Sequence, residues 1–134
     1  MTKKTLVILT PLILILTSCL VCAPICNSEI VNSSDKDIIV VLKPTSKKYI
    51  DFFKESAKLY NPDKYNIDTL NNLITFILPP SGRLNTYTGP GENPARLINY
   101  LKIITQKEII ELSSQDKIND LFDKDGILYT ITID

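Results

Sequence analysis

Apolar and polar positions divide the chain into a hydrophobic opening and a patterned remainder. From Leu6 to Leu16 every residue except Thr10 and Pro11 is apolar, and a second apolar run covers Leu20 to Cys26. Further on, Ile38, Ile39, Val40, Val41 and Leu42 are apolar on both faces of an extended chain, which predicts a buried strand over 37–43. Residues 29–32 lie one turn upstream, across Ser33-Ser34-Asp35-Lys36, and are expected to pair with it as a hairpin. Pro44 stops the strand and Ser46 is a suitable helix N-cap. Ile50, Phe53, Ala57 and Tyr60 then follow at helical spacing, a core-packing stripe on a helix that Asn61-Pro62-Asp63 ends.

The second half is more broken. Residues 64–72 suit a loop or a short helix capped by Asp68, and 73–78 reads as a strand stopped by Pro79-Pro80. The segment 79–94 holds four of the eight prolines and three of the four glycines, which predicts a long loop. Two strands, 97–105 and 107–112, form a hairpin or one bent strand, and Ser113 or Ser114 caps a short helix with Ile118, Leu121 and Phe122 on its apolar face. After a turn at Asp123-Lys124-Asp125-Gly126, the residues Ile127, Tyr129, Ile131 and Ile133 alternate with Leu128, Thr130, Thr132 and Asp134. That period of two marks a half-buried strand, long enough for a central place. Five to six short strands with two short helices predict an α+β domain, a small antiparallel sheet or β-sandwich.

Composition sharpens this division. The chain has 134 residues, 15 Lys and Arg against 15 Asp and Glu, and no histidine. One domain fits that length, and zero net charge argues against nucleic acid, whose phosphates need a surplus of basic side chains. Without histidine, Ser-His and Cys-His nucleophile pairs and most zinc sites are closed off. All three cysteines, Cys19, Cys22 and Cys26, lie in the apolar opening. With Lys3 and Lys4 also there, the rest of the chain carries 13 basic and 15 acidic side chains, net −2.

Lys3 and Lys4 followed by the apolar run form the n-region and h-region of a secretory leader. The sequence Leu16-Thr17-Ser18-Cys19 that closes it resembles the lipobox of bacterial lipoproteins. That resemblance covers 19 residues and implies a signal peptide over 1–18, acylation of Cys19 and a palmitate-type anchor in the bilayer. A lipidated tether over 19–28 would lead into a soluble domain over 29–134. Two or three acyl chains would hold such a protein firmly, since each buried methylene contributes about 0.8 kcal/mol. Leu20 stands where the family's inner-membrane retention signal has aspartate, which in a Gram-negative cell implies the outer membrane. Two alternatives stay open: an uncleaved anchor spanning about 5–25, weakened by Pro11 and Pro24, and ordinary cleavage after Ala23. After acylation of Cys19, Cys22 and Cys26 would remain, to form a local disulfide or stay thiols in the tether.

Catalytic motifs are sought with little return. Aligning Gly126 to the glycine of a calcium-binding EF-hand loop leaves Leu121 and Thr132 at the two end-ligand positions, so the acids from Asp116 to Asp125 read as a solvated face and turn. Gly89-Pro90-Gly91 lacks the lysine and spacing of a phosphate loop. Asn32-Ser33-Ser34 matches the N-glycosylation sequon, which has no meaning in a bacterial lipoprotein. No cofactor or metal is expected. The candidate binding element is the 79–96 loop, with Tyr87 as an aromatic anchor and Arg83 and Arg96 as hydrogen-bonding groups.

These readings point to a non-catalytic binding or structural domain, with a lipid bilayer as one partner and a cell-envelope protein as another. In general pattern the domain is similar to small single-domain lipoproteins of unknown function, on its opening at Ile30-Val31-Asn32-Ser33-Ser34 and its close at Tyr129-Thr130-Ile131-Thr132-Ile133. Its element order also resembles the tethering lipoprotein of type VI secretion, a transthyretin-like sandwich with a helical insertion. Strand 37–43, the helix bearing Phe52 and Phe53, and the Pro/Gly segment before strand 97–105 carry that resemblance. A secreted or signal-anchored small-ligand carrier or enzyme is the remaining alternative.

Overall fold

In a computed structural model, which describes residues 24–60 and 65–134, the strands divide between two sheets. The leader, the lipobox with Cys19, and Cys22 lie outside the described residues, as does the helix stop at 61–63. The strands are β1 (Ile25–Asn32), β2 (Ile38–Pro44), β3 (Tyr65–Asp68), β4 (Leu73–Leu78), β5 (Arg83–Pro90), β6 (Ile98–Ile104), β7 (Ile109–Leu112), β8 (Asp123–Asp125) and β9 (Leu128–Ile133). A 3-10 turn at Lys47–Tyr49 leads into helix α1 (Ile50–Tyr60), and a short α2 covers Gln115–Asp120. This is an α+β domain built mostly from antiparallel strands.

The first sheet has the order β5-β1-β9-β8, the second β3-β4-β2-β6-β7. Their inner faces share one hydrophobic cluster. Ile30, Leu84, Tyr129, Ile131 and Ile133 enter it from the first sheet, and Val40, Leu42, Ile74, Phe76, Leu101 and Ile103 from the second. A core of this size is what a chain of about 100 ordered residues can bury without covalent staples.

The second sheet follows the local sequence signals. β6 and β7 form the expected hairpin, Ile104 opposite Ile109, and β4 occupies the expected 73–78. Residues 65–68, expected as loop or helix, form the edge strand β3 because their alternation puts Tyr65 and Ile67 inward against Phe76 and Ile74. Asp68 does cap a local turn, accepting from the amides of Leu70 and Asn71 and from Asn71 Nδ2.

The first sheet departs from expectation. β1 begins at Ile25, inside the segment expected to be tether, and it does not form a hairpin with β2. It lies between β5, antiparallel, and β9, parallel. The chain therefore crosses from one sheet to the other within 33–37, and the amide of Asn32 anchors the crossing. Fully buried, it donates to the carbonyls of Lys36 at 2.7 Å and Leu78 at 2.9 Å and accepts from Ser34 N at 3.0 Å and Ser34 Oγ at 2.7 Å. The Leu78 bond reaches from the first sheet to the second. A sequon asparagine committed in this way has no free amide to glycosylate.

β9 takes the expected central place, with Tyr129, Ile131 and Ile133 inward. Ile127 lies outside the strand in the turn closed by Gly126, whose φ of +61° suits glycine. Helix α1 packs against the edge strand β5, with Phe53 buried and Ser56 donating to the Asn85 carbonyl at 3.0 Å. An edge carbonyl is thereby used instead of being left to another chain. Ser46 does precede the helical segment, though without a capping bond from its side chain. At the other helix, Gln115 and Asn119 hold the chain that enters β6: Asn119 Oδ1 accepts from Ala95 N and Gln115 Nε2 donates to Ala95 O.

Candidate functional site

The segment expected as a binding loop has a strand at its centre. Residues 83–90 form β5, and the prolines that suggested a loop mark its flanks and end. Ser28 pairs with Tyr87 but Glu29 with Asn85, so Thr86 is an extra residue, a bulge that turns both Thr86 and Tyr87 inward. Ser28 Oγ donates to the Pro94 carbonyl at 3.0 Å and lies 2.9 Å from Thr86 Oγ1, leaving Thr86 as donor of that bond. The run Leu84, Thr86, Tyr87 carried a strand signal that the prolines and glycines around it masked.

The three candidate binding residues go to different places. Tyr87 is a core residue, 7 % exposed, whose hydroxyl donates to Pro90 O at 2.7 Å. Its ring passes so close to Gly89 that a Cβ there would sit 2.6 Å from the hydroxyl oxygen. Arg83 donates from Nη1 to Glu29 Oε1 on the neighbouring strand β1 at 2.7 Å. With that guanidinium half in solvent, the pair contributes no more than about 1 kcal/mol. Arg96 is exposed, and together with Tyr87, Tyr49, Phe52 and Pro90 it lines a shallow groove of about 330 Å³. Tyr87 and Arg96 thus share a surface and Arg83 does not. A protruding loop that unites the three does not exist.

A different surface is better developed. On the outer face of the second sheet, Ile39 lies opposite Ile77 on one side and Ile104 on the other, and Ile104 lies opposite Ile109. Four isoleucines therefore cross β4, β2, β6 and β7 in one row. Ile39 and Ile77 are each 36 % exposed and Ile109 61 %. The both-sided apolar run at 38–42 had suggested complete burial. In fact only Ile38, Val40 and Leu42 point into the core.

Two residues along, the row becomes Thr75, Val41, Lys102 and Glu111. Glu111 accepts from Tyr100 at 2.7 Å and pairs with Lys102 at 3.5 Å. The tyrosine bond, then the lysine charge, hold the Glu111 carboxyl below the usual carboxylate range. Partial burial, then Glu111, push the Tyr100 phenol up. Beyond this row a wide cleft of about 620 Å³ opens beside Lys43, Tyr100, Asn71, Asn99 and Ser113. The face thus grades from apolar at the start of β2 to polar at its end.

Cys26 is a buried free thiol on β1, and burial raises its pKa. Among the described residues no group of three His, Cys, Asp or Glu is placed to hold a metal ion, and no helix is long and apolar enough to cross a membrane. No family model matches the chain, and neither a curated protein nor a solved structure matches it at a significant level.

Proposed function

We propose that the chain is a membrane-anchored lipoprotein, acylated on Cys19, whose folded domain is a non-catalytic binding module facing the periplasm or the cell exterior. The leader and Leu16-Thr17-Ser18-Cys19 support the anchor, and Leu20 supports the outer membrane as its site. The isoleucine row on the outer face of the second sheet supports the binding role. Exposed apolar area concentrated in register across four strands is the chemistry of a protein-docking surface, with the polar end of the same face as its rim.

Metabolic labelling with palmitate tests the anchor: label is expected in the wild type and none in Cys19→Ala, and equal labelling overturns it. A photo-crosslinking residue at Ile109, in cells, tests the surface. One crosslinked species of defined mass is expected from Ile109 and none from Arg83 on the first sheet. The same diffuse pattern from both positions removes the docking role.

A further inference from the structure

We infer that the end of the first sheet where β1 begins is seated on the lipid surface, with Ile25, Pro90 and Ile127 applied to the bilayer interface. The inference rests on the acylation of Cys19 proposed above.

The first observation is the shortness of the tether. β1 starts at Ile25, so only Leu20, Val21, Cys22, Ala23 and Pro24 separate it from Cys19. Six steps of extended chain reach at most about 20 Å, and the headgroup layer itself takes up about 5–7 Å of that. All five residues are uncharged and apolar, so the tether gains by lying in the interface and draws the domain down. β1 is an inner strand of its sheet: Ile25 and Cys26 pair with β5, and from Asn27 onward the strand pairs with β9 as well, so its first residues cannot peel away to lengthen the tether without breaking the β5 ladder.

The second observation is what this end exposes. Gly91 N donates to Pro24 O at 3.3 Å, Ile25 lies opposite Pro90, and Asn27 N donates to Ile127 O at 2.9 Å. The strand start, the end of β5 and the turn before β9 are thus side by side. Ile25 is 60 % exposed and Ile127 61 %, and Pro90 is exposed as well. The flanking charges are Glu92, Asp125 and Lys124, and Lys124 is already bound to Glu92 at 3.2 Å. The rim therefore carries no surplus of positive charge for anionic headgroups. Contact must come from apolar insertion and the short tether, so neutral phosphatidylcholine should serve as well as a mixture with phosphatidylglycerol.

The absence of tryptophan from the chain provides the test. Ile25→Trp, Ile127→Trp and Ile109→Trp each give the lipidated full-length protein a single reporter at an exposed position. In phosphatidylcholine vesicles containing lipid brominated near the headgroup, emission from Ile25→Trp and Ile127→Trp should shift to the blue and be quenched. Emission from Ile109→Trp should be unchanged. Acylated protein in which all three behave alike overturns the seating and leaves the anchor intact. Loss of palmitate from none of the variants, Cys19→Ala included, removes the anchor and the seating together.

Discussion

The two sheets solve the same packing problem with different materials. Among the described residues, four of the five buried polar ones, Ser28, Glu29, Asn32 and Thr86, belong to the first sheet, and the fifth, Ser56, to the helix beside its edge. The second sheet is apolar within and partly apolar without. Polar groups in a core need particular partners at particular distances, so the first sheet is specified by individual bonds. The second is specified by volume and alternation, which many side chains satisfy. Their connections differ in the same sense. The second sheet contains the hairpins β3-β4 and β6-β7, whereas the first, beyond its one hairpin β8-β9, joins β1 to β5 and to the last strand of the chain.

That contrast can be broken by substitution. The largest effect is expected for Leu101→Ala in the second sheet, where loss of a fully buried side chain should cost about 2–5 kcal/mol in chemical denaturation. Asn32→Leu keeps nearly the same volume, so a sheet specified by packing alone would tolerate it. Because it leaves the Lys36 and Leu78 carbonyls without donors, a loss of about 2–3 kcal/mol is expected. A near-neutral result would show that the polar bonds of the first sheet are dispensable.

Alkaline pH probes the same sheet more gently. Burial raises the Cys26 thiol above its ordinary 9.0, so the unfolded chain releases that proton first. The stabilisation is complete below the unfolded pKa and is lost as pH rises through the folded value, by at most about 1.4 kcal/mol per pH unit. Cys26→Ala should flatten the fall above pH 9 in a titration of unfolding free energy. The smallest change is expected for Ile39→Thr combined with Ile109→Thr on the outer face of the second sheet. Stability should stay within about 0.5 kcal/mol, while the species crosslinked from a neighbouring outer-face position, Val41, disappears. A large loss of stability would mean that the row supports the fold instead of a partner.

Much of the second sheet was legible in the sequence, because β2 and β4 are apolar runs that prolines stop and β6 and β7 pair as near neighbours. The first was misread at both ends. Residues 79–94 looked like a loop, since Pro and Gly around Leu84, Thr86 and Tyr87 outweigh an alternation that the bulge also interrupts. Residues 29–32 looked like half of a hairpin, since the turn-rich 33–36 that follows them gives no hint of a crossing between sheets. The candidate site suffered accordingly: Tyr87 serves the core, Arg83, although exposed, is paired with Glu29, and Arg96 lies on the groove that Tyr87 lines. The isoleucine row lay in plain sight at Ile39, Ile104 and Ile109, but its register spans strands up to 70 residues apart, from Ile39 to Ile109.

Residue order alone determined the helix with Phe53 inward, the extended segments within 97–112, the alternation of the last strand, and the apolar leader that ends in Leu16-Thr17-Ser18-Cys19. These depend on periodicity and side-chain chemistry within a few residues. Tertiary structure decided that β1 lies between β5 and β9, that the Asn32 amide joins the sheets, and that one face of an all-apolar strand looks outward. Each of those is a contact between distant segments, and its free energy exists only once the chain has brought them together.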